Sequence, residues 1–422
     1  MPHQVALTVR APILPGRVQE LKEVLDRVGA EDRRPALLPF EHLPVHFARL
    51  FVVDDATDLA GAAIPASLFF LSDVDAPLDA YLAQLCRLAA AGLDEIFSLC
   101  DAYPSGATPE ARAAYLTAHS VKPAALYVNT VGRSLAQVRQ EAALREAIGD
   151  FLDEHAAELA GKSARQVRAA VVDHVGKDPG LSWALDPAAR PAAAWRSMEA
   201  IHAAVAAVVG VILLPFILVG LPFYLVWLRI HETHDKVARE PVDHARIAEL
   251  AAREDKIVQN QFTAVGLRKP GPFRGFTLAA VLYVIGLGTR HIFNKGSLSG
   301  VRTIHFARWV FIDGHRRLVF ASNYDGSLES YMDDFIDKVA FGLNAVFSNG
   351  VGYPKTNWLI FDGAKDELAF KALLRARQID TPIWYSAYAH LTAVNVANNA
   401  AVRAGLTRDL SPAEAAAWAA RL

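Results

Sequence analysis

The chain repeats itself, and the repeat constrains its fold more than any single motif does. Residues 68–104 align with 318–354 without a gap, and 13 of the 37 aligned positions are identical. Among them are Ser72/Ser322, Asp75/Asp325, Tyr81/Tyr331 and Gly92/Gly342. Upstream, QVALTVRAPILPG from Gln4 parallels QNQFTAVGLRKPG from Gln259. Downstream, LYVNT at Leu126 parallels WYSAY at Trp384. The tetrapeptide HFAR occurs at His46 and again at His305, each with an aspartate eight positions on, Asp54 and Asp313. Recurrence on this scale marks duplication of one supersecondary unit.

Both copies carry the same local pattern. An alternating strand ends at Pro-Gly, then come a helix, a hairpin, a long apolar-periodic helix, a last strand and a terminal helix. The order β-α-β-β-α-β is the ferredoxin-like arrangement. The expectation is therefore an α+β fold of two tandem ferredoxin-like units, 1–150 and 257–422. Each would place helices on one face of a four-stranded antiparallel sheet, leaving the other faces to pack together.

Between them, 151–256 reads as a helical, Ala-rich insertion. Within it, 203–228 (AAVAAVVGVILLPFILVGLPFYLVWL) runs 26 residues without a charge, longer than the roughly 20 a bilayer crossing needs. A single crossing would put the two halves on opposite sides and stop them packing. Pro215, Gly220 and Pro222 interrupt the run near its middle. The flanking charges Arg190, Arg196, Arg229, Lys236 and Arg239 give no orientation. These points predict a re-entrant or interfacial helical hairpin: a monotopic anchor holding membrane lipid through 203–228. Both units would then lie on the cytoplasmic side of the inner membrane.

Composition removes several classes. A net charge of −2 and a pI near 6.7 give no field to recruit nucleic acid. Two cysteines, Cys86 and Cys100, cannot build a disulfide framework or a four-thiolate metal site. The N-terminus lacks the pattern of a signal peptide. HETHD at His231 reads as a charged face beside the anchor, with His231 and His234 one turn apart. GLGTR at Gly286 follows a helix and so is no phosphate loop.

The second copy of HFAR opens a hairpin. Alternation with a turn at Gly314-His315 predicts Tyr324 opposite His305, Asn323 opposite Phe306 and Ala321 opposite Arg308. His305 with Tyr324, and Arg308 with Asn323, would then cluster at one end. Asp325 either caps the following helix with Arg308 as ion-pair partner, or takes part in chemistry. SNYDGS in the second copy stands where the first has SDVDAP. Residues kept in both copies suit the fold, whereas Asn323 and Tyr324, present once, suit a site.

With two such units, the architecture resembles the dimeric α+β barrel group, and in particular the dye-decolorizing peroxidases. That resemblance implies haem between the second sheet and its helices, with a proximal histidine, a distal arginine and an acid–base aspartate. Of the family's Gly-x-x-Asp-Gly motif, SNYDG retains Asp325-Gly326. The histidines of the second unit are His291, His305, His315 and His390. The wording TIHFARW…SNYDG is also similar to an uncharacterised bacterial group.

Two functions are expected from this. One is a membrane-anchored haem peroxidase or oxygenase acting on a hydrophobic small molecule. In it His305 or another histidine of the second unit ligates iron, Arg308 stabilises charge on bound peroxide and Asp325 shuttles its proton; Asn323 lies in the site, and Tyr324 and Tyr385 bind substrate or carry a radical. The alternative is a non-enzymatic lipid- or small-molecule-binding or scaffold protein at the membrane surface, in which the same cluster is structural.

Overall fold

A computed structural model describes residues 3–235 and 241–422; Lys236 and Arg239 lie outside the described residues. The protein is α+β, with antiparallel sheets and one long apolar helix. The first half supplies β1 (Gln4–Pro12), β2 (Val45–Val53), β3 (Ser67–Asp75) and β4 (Ala125–Val128). The second supplies β5 (Gln259–Leu267), β6 (Ile304–Ile312), β7 (Arg317–Asp325) and β8 (Ile383–Ser386). One sheet is ordered β1-β3-β2-β8 and the other β4-β6-β7-β5.

The two halves exchange their last strands. Each was expected to keep its own, but β4 pairs with β6, placing Leu126 opposite Arg308. In the other sheet β8 pairs with β2, placing Tyr385 opposite Ala48. Before crossing over, the chain runs briefly along its own sheet: Arg10 N donates to His119 O at 2.9 Å and Val121 N to Thr8 O at 2.8 Å. Ile379 N does the same to Thr263 O at 2.8 Å in the second half. These segments cover the β1 and β5 edges, which would otherwise offer unpaired backbone to another chain.

β2, β3 and β7 are buried along their whole lengths. Helices α1 (Val18–Gly29), α2 (Leu78–Leu88) and α3 (Ala90–Phe97) cover one face of the first sheet, burying Leu50, Phe70 and Leu85. On the other face Phe51 and Phe69 stack at 5.3 Å and meet Val310 and Val319 of the second sheet. Burial on both faces is why apolar residues follow one another in these strands, as in residues 68–71 and 318–321, instead of alternating. Each long helix expected after the hairpin is broken. In the first half the break falls at Ala89 (φ −100°, ψ 20°) between α2 and α3. In the second, Val339 (φ −136°, ψ 24°) kinks the helix Leu328–Phe347 at the repeat-equivalent place.

Four further helices matter for the site: α4 (Leu135–Glu154), α5 (Ala193–His234), α6 (Pro272–His291) and α8 (Ala393–Thr407), while the kinked Leu328–Phe347 is α7. The apolar segment does not form the expected hairpin. It is part of α5, which passes unbroken through Pro215, Gly220 and Pro222. A proline removes one helical hydrogen bond and bends the axis, and the surrounding bonds carry the helix past it. Residues 207–223 are exposed throughout, so this stretch of α5 is buried against none of the other described residues. Its two ends, by contrast, are fastened to the body. His202 Nδ1 meets His291 Nε2 at 2.9 Å near the start. Tyr224 Oη donates to Thr277 Oγ1 at 3.3 Å, and Arg274 binds Asp235 at 2.7 Å, near the end.

Candidate functional site

HFAR builds the same device twice. In both hairpins the register slips at the histidine: Val45 pairs with Val74 but Phe47 with Asp73, and Ile304 pairs with Tyr324 but Phe306 with Asn323. Such a bulge lets one side chain leave the alternation. His305 therefore does not face Tyr324 as expected. It turns instead to the inter-sheet side, where its Nε2 meets Asp325 Oδ1 at 2.7 Å. His46 meets Asp75 Oδ1 at 3.1 Å in the same way. The remaining oxygens of the two aspartates accept backbone N–H groups at helix starts, Asp75 from Leu135 at 2.9 Å and Asp325 from Ala393 at 2.8 Å. Asp325 thus caps α8 rather than the helix that follows it in sequence, and its partner is His305 rather than Arg308.

The arginines of HFAR reach across the interface. Arg308 donates to Leu7 O at 2.6 Å, Thr8 Oγ1 at 3.0 Å, Ser72 O at 3.1 Å and the Asp73 carboxylate. Arg49 makes the equivalent bonds in the opposite direction, to Phe262 O at 3.1 Å, Thr263 Oγ1 at 2.8 Å, Ser322 O at 2.9 Å and Asn323 Oδ1. Asn323 also donates to Asp73 Oδ2 at 3.1 Å and accepts from Trp384 Nε1 at 3.1 Å. Burial lowers the Arg49 guanidinium to about 9, with Asp73 acting against that shift. The expected pairing of Arg308 opposite Ala321 and Asn323 opposite Phe306 is present.

Tyr324 and Tyr385 lie elsewhere. Tyr324 sits on the helix-facing side of its sheet, stacked on Tyr331 at 3.9 Å, and burial pushes its phenol well up. Tyr385 packs under the helices of the other sheet, 5.4 Å from Phe40 and beneath Arg34 at 5.2 Å. Of the six residues singled out in the sequence, His305 and Asp325 touch, Arg308 and Asn323 share one network through Asp73, and the two tyrosines stand apart.

A haem has no place at His305. Its Nε2 is held by Asp325, and the cavity it borders with His46, Arg133 and Tyr388 is about 30 Å³, which is room for water and not for a macrocycle. No group of three or more His, Cys, Asp or Glu side chains placed to hold a metal ion occurs among the described residues.

The roomy site lies under α5. A cavity of about 470 Å³ opens between Ala203 and Ala206 of α5, Ile285 and His291 of α6, and Phe335 and Leu343 of α7, with Trp309 of β6 among its walls. Its size falls in the usual range for small-molecule sites. Almost every wall residue is apolar, and α5 lends it two alanines, whose small side chains leave the space open. A second cavity of about 410 Å³ lies alongside, bordered by Trp195, Glu199, His202 and Arg290. Leu287 and Thr289 border both. Arg290 is spent on Glu199, with two contacts of 2.6 Å. The His202–His291 pair stands where the apolar and polar spaces meet.

The sequence reading missed this region. GLGTR and His291 drew notice for other reasons, and the cavity arises only once α5 is laid against α6. The chain matches no protein-family model, no curated protein and no solved structure.

Proposed function

We propose that this protein is a monotopic membrane-surface protein that binds a hydrophobic small molecule or lipid chain between α5 and the α6–α7 face. The observation that carries the reading is the 470 Å³ apolar cavity, one wall of which belongs to a helix whose middle is bare and uncharged. An apolar helix with nothing against it in water is at home in hydrocarbon. Strand exchange supports an anchor over a crossing. β4 precedes α5 in the chain and β6 follows it, yet they pair side by side. A bilayer between the two halves would have to part them. We read the body as two ferredoxin-like units locked together by that exchange, resting on one leaflet with 207–223 sunk into it.

The peroxidase reading draws less support. Arg308 and Asn323 are committed to contacts that join the two sheets, His305 and Asp325 are committed to each other and to the start of α8, and the space His305 borders with His46 is about 30 Å³.

Displacement of an apolar fluorescent dye from detergent-purified protein tests the binding function. Uptake should fall at least about tenfold, one 1.4 kcal/mol step, in Ala206→Phe, which fills the cavity, with the unfolding midpoint unchanged. Uptake that is absent from the wild type, or equal in the variant, would overturn the reading.

A further inference from the structure

Glu232 is completely buried near the end of α5, and it holds a loop rather than a catalytic partner. Its carboxylate accepts from Thr356 Oγ1 at 3.0 Å, Trp358 N at 2.9 Å and Leu359 N at 2.8 Å, and pairs with Arg229 at 3.1 Å. The loop is a short hairpin in which Thr356 pairs with Asp362 and Asn357 with Phe361. Its tip reads Trp358-Leu359-Ile360-Phe361. Trp358 and Leu359 both take left-handed backbone angles, φ 52° and 68°, which bulky side chains rarely adopt. The two backbone bonds to Glu232 fall on those same residues and fix the turn in that shape.

The tip is then left bare. Trp358 is 47% exposed, Ile360 39% and Phe361 54%. Three exposed apolar side chains within four positions are a contact surface in search of a partner. What they adjoin identifies it. The hairpin is pinned to α5 itself at Glu232, just beyond Trp227 and Ile230, both exposed. The Arg229 guanidinium lies 5.9 Å from the centre of the Trp358 ring. Tryptophan with arginine beside an apolar helix end is the chemistry of the membrane–water interface.

We infer that the 356–362 hairpin is a second membrane-inserting element, entering the same leaflet as α5 and fixed to it by Glu232. This inference rests on the membrane reading above. The hairpin sets how the body tilts on the surface, because it and α5 give two separate points of attachment.

A fluorescent nitrobenzoxadiazole label on Ile360→Cys tests it, since Cys86 and Cys100 are buried and escape labelling. Vesicles of neutral phospholipid should shift the label's emission to the blue and protect it from an aqueous quencher. The same label at Leu59→Cys, exposed in the first half, should not respond. Separately, Trp358→Ser with Phe361→Ser should weaken vesicle binding about tenfold or more while the unfolding midpoint holds. If the protein binds vesicles but label 360 stays quenchable and the double variant binds as tightly, the hairpin inference fails alone. If the unmodified protein does not bind vesicles, the membrane reading fails with it.

Discussion

Asn323 faces Asp73 across the inter-sheet interface, donating from Nδ2 to Asp73 Oδ2 at 3.1 Å. The two occupy equivalent places in the repeat, 250 positions apart, yet one is an amide and the other a carboxylate. With identical aspartates here, two anions would sit in contact inside the protein. The amide instead offers a donor to Asp73 and an acceptor to Arg49, so one substitution lets both arginines end on a partner. Asn323 was singled out because it occurs in only one copy, and this geometry supplies a physical reason for the difference.

Arg308→Ala should therefore act on stability first. It leaves Asp73 buried without its cation, a change costing roughly 3–5 kcal/mol. Chemical unfolding in mild detergent would show the midpoint fall. A variant that unfolds like the wild type would return Arg308 to a functional role.

Asp75 and Asp325 each tie a histidine to the start of a helix, and Asp75→Ala and Asp325→Ala should cost alike. Losing the backbone acceptor and the histidine contact together amounts to about 2–4 kcal/mol. Hydrogen exchange should report faster opening at the first turn of α4 in one variant and of α8 in the other.

The bare stretch of α5 has the opposite character. Ile212 and Val219 are exposed and bury nothing against the other described residues, so with Ile212→Lys and Val219→Lys together the body should keep its unfolding midpoint. Each lysine costs about 2.5–3.5 kcal/mol in hydrocarbon, so the pair should weaken vesicle binding by roughly four orders of magnitude and abolish co-sedimentation. Retained sedimentation would show that 207–223 lies outside the lipid.

Alkaline pH should loosen the fold. Burial pushes the Cys86 thiol up to about 11 and the Cys100 thiol to about 12, from an ordinary value of 9.0. It also raises the phenols of Tyr81, Tyr324 and Tyr331. An acid whose pKa is higher folded than unfolded contributes stability below the unfolded value and loses it as pH climbs toward the folded one. Arg49, lowered to about 9 from 12.5, pulls the other way, since an unfolded chain then holds the extra proton. Arg133 and Lys269, lowered by burial as well, act with Arg49, but the raised thiols and phenols outnumber these three bases, so stability should decline from about pH 9 upward. At neutral pH both thiols should resist an alkylating reagent until the chain is unfolded.

Much of the hairpin could be read from the sequence. The register that sets Arg308 opposite Ala321 follows from the turn and the alternation of side chains. The bulge at His305 does not, because nothing in the local spelling marks the residue that leaves the ladder, and one slipped position exchanged its partner from Tyr324 to Asp325. Residues 125–128 read as a strand in either sheet, since the local pattern specifies pleat and burial but not which edge is free. The cavity was less accessible still. Ala203 and Ala206 look like ordinary helix residues, and only the placement of α5 on α6 gives them a wall to form. Continuity of α5 through Pro215 and Pro222 was hidden too, since each proline removes one helical bond while the bonds on either side carry the helix on.

The exchanged strands also set a timetable for synthesis. When the first half leaves the ribosome its β2 edge has no neighbour, and that neighbour, Ile383–Ser386, is among the last pieces made. The unfinished sheet must keep an open edge out of trouble while the most apolar helix of the chain emerges beside it, a period in which aggregation competes with folding. Early capture of α5 by a bilayer would hold the nascent first half apart from its copies until the second arrives to close both sheets at once. Cutting the chain between its halves should accordingly yield two sticky fragments rather than two domains.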